Sequence, residues 1–145
     1  MVIIPQVLIN QAAYEGIHVM FSKLEGRILA YYAVDAGQAF IVLSESLKKD
    51  TAILRCVLAE ELGHHYTSVG IGVPVTHTLY RDRNKLTQDE HRAKRWAAEY
   101  LLPLDKLLRA FRKGIRHLWE LAEYFRVTEE MIRFRLKMLK VGMAS

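Results

Sequence analysis

Between Leu58 and His65 the chain reads LAEELGHH, which puts four ionisable side chains, Glu60, Glu61, His64 and His65, directly behind an apolar run. From Ala52 to Ala59 only Arg55 interrupts the apolar residues, and a helix that is apolar nearly all round is a buried one. Burying an uncompensated carboxylate costs several kcal/mol, comparable with the net stability of a small domain, so the cluster calls for a metal, a partner or water. Spacing favours a metal. At about 100° per residue, Glu60 and His64 lie roughly 40° apart on one helical face and Glu61 projects about 60° beyond His64. That is the geometry of the HEXXH zinc motif, in which positions one and five hold the metal and position two is a general base. Gly63 would let a neighbouring backbone approach closely.

Tetrahedral catalytic zinc takes three protein ligands and an open position, so a third ligand must come from elsewhere. Glu90 is the candidate. Ala93, Trp96, Ala97, Tyr100 and Leu101 follow the spacing of a core-facing helical stripe, and one turn backwards the stripe lands on Glu90, whereas Glu99 falls on the solvent side. A plainer reading competes: Thr87, Gln88, Asp89, Glu90 matches the T-x-x-E capping box, and a carboxylate turned back toward Thr87 would not reach a metal. Glu60 and Glu61 could likewise be solvated residues at a frayed helix end. His65, about 100° round from His64, reads as a packing or supporting residue, and Cys56 as a core thiol. His77 and His91 are open to a role in contacting substrate or an oxyanion, and Trp96 and Tyr100 are most simply core.

LAEELGHH, followed from Glu90 to Pro103 by EHRAKRWAAEYLLP, resembles the ImmA/IrrE family of metallopeptidases found in phages and mobile elements. That family pairs HELGH with a downstream helix of the form ExxANxFAxxLLxP. Two motifs agreeing in order and distance are more specific than a lone HEXXH, and the likeness extends over about residues 13 to 103. This chain departs at two places, with Glu60 at the first His position and Lys94 at the usual Asn. The resemblance implies zinc held by Glu60, His64 and Glu90, with Glu61 as catalytic base; the oxygen-rich donor set makes manganese the harder alternative. The resemblance also implies a zincin-like fold and an endopeptidase whose substrate is a partner protein, typically a helix-turn-helix repressor of the same mobile element. The different class of function that the same residues allow is a binding protein or DNA-binding regulator that keeps the fold and has lost proteolysis.

The elements that must position these residues can be read from local pattern. Residues 17–21, 28–34 and 39–43 are rich in β-branched and aromatic side chains, with turn-forming breaks at Glu25-Gly26 and Asp35-Ala36-Gly37, which predicts an antiparallel meander of three strands. Asp50 is placed to cap a helix over 51–66. Thr67, Ser68, Gly70, Gly72 and Pro74 mark a long loop to about Leu86, and Thr87 opens the second site helix, ending near Pro103. Helices over 104–113, 118–125 and 129–139 follow. The expected fold class is therefore α+β: a small antiparallel sheet packed on a buried metal-site helix, then a C-terminal helical segment.

At 145 residues the chain can hold one core but not two large domains. A metallopeptidase-like domain over 1–103 and a basic appendage over 104–145 is the expected division. The net charge of +5 supports it, because 1–103 carries 11 basic and 11 acidic residues whereas 104–145 carries 10 and 5. From Leu121 to Leu136 the pattern is that of a helix-turn-helix, with Arg133, Arg135 and Lys137 on the second helix and Arg126 where the turn usually has Gly. DNA is thus a conceivable partner through 115–140, beside packing on the core or recognition of a protein. A single cysteine, no basic leader and no long apolar run make a cytoplasmic protein the expectation, with no membrane partner.

Overall fold

A computed structural model describes residues 5–67, 75–78 and 88–144, the side chains of 75–78 and 141–144 excepted. The element order is α1 (Pro5–Tyr14), β1 (Ile17–Ser22), β2 (Ile28–Asp35), β3 (Gln38–Ser44), a short 3-10 turn (Glu45–Lys49) and α2 (Thr51–Thr67). Then come β4 (Val75–Thr78), α3 (Gln88–Leu101), α4 (Leu104–Arg112), α5 (Leu118–Phe125) and α6 (Glu129–Ala144). The fold is α+β. Among the described residues no helix is long and apolar enough to cross a membrane.

The sheet is mixed and not the antiparallel meander that the sequence pattern suggests. Its order is β1-β3-β2-β4, with β1 parallel to β3 and the other pairs antiparallel. The β2–β3 hairpin closes through Ala36 and Gly37, both at positive φ (51° and 79°), as a tight two-residue hairpin turn requires. The segment from 23 to 27 makes no hairpin. It carries the chain past β3, which inserts between β1 and β2, and strand pattern alone does not distinguish insertion from simple succession. A further strand, β4, lies inside the stretch expected to be one long loop and pairs with β2 through Tyr31↔Thr76 and Tyr32↔Val75. Its four residues are too short to carry a period. The rest of that loop, Thr87 and the capping box that depends on it lie outside the described residues.

One apolar cluster runs through the molecule. Leu8 and Ala12 of α1, Ile41 and Leu43 of β3, Leu58 and Leu62 of α2, Leu107 of α4, Leu121 of α5 and Met131 of α6 all belong to it. The helix α2 runs through its middle: every residue from Leu54 to His64 is buried. Asp50 starts this helix as expected, its Oδ1 accepting a hydrogen bond from the Ile53 N–H at 3.1 Å.

Two buried arginines tie the later helices to the earlier elements. Arg55 donates from Nη1 to the carbonyls of Phe125 and, at 2.6 Å, Arg126, which satisfies acceptors left over at the end of α5. Arg126 itself sits at φ 54°, the left-handed position usually given to Gly, and is exposed. Arg135 of α6 donates through Nε to the Leu102 carbonyl at 2.8 Å and is only 8% exposed. Arg135 is therefore a structural tie and not part of the basic face that the sequence suggested. Arg133, on the same helix, is 63% exposed and pairs loosely with Glu129.

Candidate metal centre

The buried stretch of α2 delivers its acids and imidazole into the core. Glu60 is 2% exposed, Glu61 0% and His64 3%, so these residues are no frayed, solvated helix end. Gly63 lies among them. A Cβ added there would fall inside contact distance of the Ala93 carbonyl oxygen and 3.0 Å from Ala93 Cα, so only glycine lets α2 and α3 come this close.

On α3, Ala93, Lys94, Ala97, Ala98 and Leu101 are buried, Glu90 is half-buried and Glu99 is exposed. The expected stripe is thus present but wider, and it includes Lys94, whose burial the sequence reading missed. A lysine next to the stripe ordinarily snorkels to solvent, so its type hid its position. Lys94 Nζ stands 3.9 Å from Glu130 Oε1 and 5.1 Å from the centre of the Phe134 ring.

Next to the motif, His65 hydrogen-bonds through Nδ1 to the Tyr32 hydroxyl at 2.9 Å, which joins α2 to the sheet. Burial raises the Tyr32 phenol above its ordinary range. His65 contacts Tyr66 edge-on, and Tyr66 stacks on Trp96, which stacks in turn on Tyr100. Cys56, one turn before Glu60, is buried with Sγ 3.8 Å from Thr128 Oγ1. Its thiol is pushed up to about 12, chiefly by burial, with the Glu60 charge adding to the rise. His91 is exposed, its ring edge against Phe134, and the His77 side chain lies outside the described residues.

In donor chemistry, Glu60, His64 and Glu90 suit a divalent ion of the zinc or manganese kind, because carboxylate oxygen and imidazole nitrogen are the donors such ions take. In convergence the set is incomplete. Among the described residues no three His, Cys, Asp or Glu side chains gather closely enough to hold a metal ion together.

The site thus consists of a buried helix carrying an E-E-x-x-H sequence, packed through a glycine on a second helix that bears a carboxylate, Glu90, in its first turn. The model of the peptidase M78 family, described as the IrrE N-terminal-like domain, matches residues 12–137, and the chain belongs to this family of metal-dependent peptidases. No curated protein matches the chain.

Proposed function

We propose that this protein is an endopeptidase that hydrolyses a peptide bond in a partner protein, with a helix-turn-helix repressor of a mobile element as the substrate class. The observation that carries the proposal is the burial of Glu60, Glu61 and His64 in sequence on α2, in a chain of the peptidase M78 family. Glu60, His64 and Glu90 would hold the ion, which is zinc in this reading, with manganese as the alternative. When bound, such an ion supplies Lewis-acid polarisation of the scissile carbonyl. Glu61 accepts the proton of the attacking water and passes it to the leaving amine. The surrounding apolar residues keep bulk water out, which strengthens every charge interaction in the site.

Incubation of the purified protein with the repressor encoded beside it, with and without chelator, tests this reading. Cleavage that chelator stops and that Glu61→Gln abolishes, with metal content unchanged, is the expected result. Wild-type turnover by the Gln variant would remove Glu61 as the base.

A second reading has its own support. Glu60 stands where the motif has His, and three donors do not converge among the described residues, which suits a chain that binds partners without cutting them. Metal analysis of the purified protein separates the two, since absence of bound metal at any pH favours the second. Arg133, Lys137 and Lys140 line exposed positions of α6, and if they meet DNA its affinity will fall steeply with salt.

A further inference from the structure

The strands β1 and β3 run parallel and stay in register to their last pair, Ser22↔Ser44, so both release the chain at the same end of the sheet. Neighbouring antiparallel strands would have sent it out at opposite ends. In open α/β sheets the carboxyl ends of neighbouring parallel strands are where a ligand crevice forms. Here that end of the sheet holds a cavity of about 500 Å³, walled by Lys23 and Leu24 beyond β1 and by the end of β3 with the 3-10 turn that follows it. Small-molecule sites range over about 300–1,000 Å³, so the size suits a ligand larger than a single ion.

The lining sets the sign of that ligand. It holds three lysines, Lys23, Lys48 and Lys49, against one carboxylate, Glu45. Among the described residues none of the three lysines is in an ion pair. Lys48 lies over the Phe21 ring of β1, with Nζ 4.7 Å from its centre, so its charge reaches from the turn across to the neighbouring strand. The cavity is also lined by Ser44, which is 6% exposed, and by Ser46. Their hydroxyls share a hydrogen bond at 2.8 Å, and Ser44 Oγ accepts a second one from the Ser46 N–H at 3.3 Å. Two hydroxyls carry two protons and their shared bond uses one, so whichever donates, one O–H is left for a ligand. Lysine ammoniums beside a hydroxyl donor are groups that hold phosphate. A bare phosphate would leave most of the volume empty, whereas Leu24 and the lysine stems offer apolar surface to an organic group.

We propose that this cavity binds a small organic phosphate, with the phosphoryl group held by Lys23, Lys48, Lys49 and the Ser44–Ser46 hydroxyl pair and the organic part against Leu24. The cavity lies at the start of α2, while Glu60, Glu61 and His64 lie in the second half of that helix, so the two sites are distinct. Binding here does not rest on the peptidase reading.

Isothermal titration calorimetry on the full chain, dialysed free of metal, chelator and phosphate, tests this; without metal, no phosphate can be captured by an ion elsewhere. The probes are ribose phosphate, glycerol phosphate and AMP, set beside ribose, glycerol, adenosine and inorganic phosphate. At least one ester is expected to bind with a Kd below about 1 mM, and about tenfold or more tightly than its unphosphorylated parent and than inorganic phosphate. Lys23→Met and Lys48→Met should each weaken that ester about tenfold, and Lys113→Met, outside the cavity, should leave it unchanged. All three lysines are exposed, so these variants keep the fold. Failure of every ester to bind below about 1 mM would overturn the proposal. So would a parent compound that binds as tightly as its ester, since the phosphoryl group would then do nothing. Inorganic phosphate binding as tightly as every ester would mark a site for an ion only and overturn the organic ligand. Undiminished affinity in both cavity variants would place the binding elsewhere on the molecule.

Discussion

In the proposed site, Glu60 as a ligand would set the charge. With two carboxylates and one imidazole, a zinc site has a net charge near zero, against about +1 for two imidazoles and one carboxylate. The ion is then a weaker Lewis acid, and an oxygen-rich shell admits harder ions such as Mn²⁺ more readily. Glu60→His is therefore expected to raise zinc affinity, and titration of the metal-free protein measures it; equal binding by Glu60→His, Glu60→Ala and wild type would mean that Glu60 is no ligand. Cys56 gives a second prediction at this scale. Its thiol rises from 9.0 to about 12 in the folded chain, chiefly through burial, so the folded state holds this proton more tightly than the unfolded state. The contribution is complete below the unfolded value and is lost as pH climbs between 9.0 and about 12. Urea unfolding should show stability falling across this alkaline window, and Cys56→Ala should flatten the fall. Thiol reagents should leave Cys56 untouched in the folded protein near neutral pH.

At the scale of elements, the joint of α2 and α3 rests on one missing side chain. Gly63→Ala would gain about 1 kcal/mol of helix propensity, yet the new methyl meets the Ala93 backbone, which cannot rotate away. A net loss on the order of 2 kcal/mol is expected by chemical denaturation, and a stabilised variant would show that the helices can part at no cost. The position of Gly63 was legible in the sequence because a glycine inside a helical, chemistry-bearing motif has few other reasons to be there. Glu60, Glu61 and His64 were legible for a related reason, since an apolar approach such as Ala52–Ala59 can only be buried. Lys94 and Arg135 were not, because a basic residue on a helix is exposed unless a partner distant in sequence claims it. The partners seen here, Leu102 for Arg135 and α6 for Lys94, are set by tertiary packing. Strand order was hidden likewise: β1 beside β3 and β3 beside β2 satisfy the same alternation of side chains as a meander does.

For the whole molecule, the apolar cluster and the two buried arginines bind the C-terminal helices to the rest of the chain. Leu107, Leu121 and Met131 share one core with Leu58 and Leu62, and the family match itself spans 12–137 without a break at 103. Unfolding is accordingly expected in one cooperative transition, with far-ultraviolet dichroism and tryptophan emission coinciding. Two separated transitions would divide the chain into independent units near Pro103. Arg55→Met should weaken the single transition by about 2–4 kcal/mol, because it strands the carbonyls at the end of α5 inside the core.

The aromatic stack between α2 and α3 also makes the protein its own optical probe. Trp96 lies between Tyr66 and Tyr100, with ring centres 4.9 and 5.0 Å away, while Trp119, the other indole of the chain, is 55% exposed. The two emitters thus have different surroundings: Trp96 receives excitation energy from tyrosines in van der Waals contact, whereas Trp119 emits as a solvated indole at longer wavelength. Any event that slides α3 along α2, whether an ion entering or a peptide docking, changes the ratio of tyrosine-sensitised to directly excited emission. With Trp119 replaced by Phe, any such displacement could be followed in real time by a single wavelength, with no label attached.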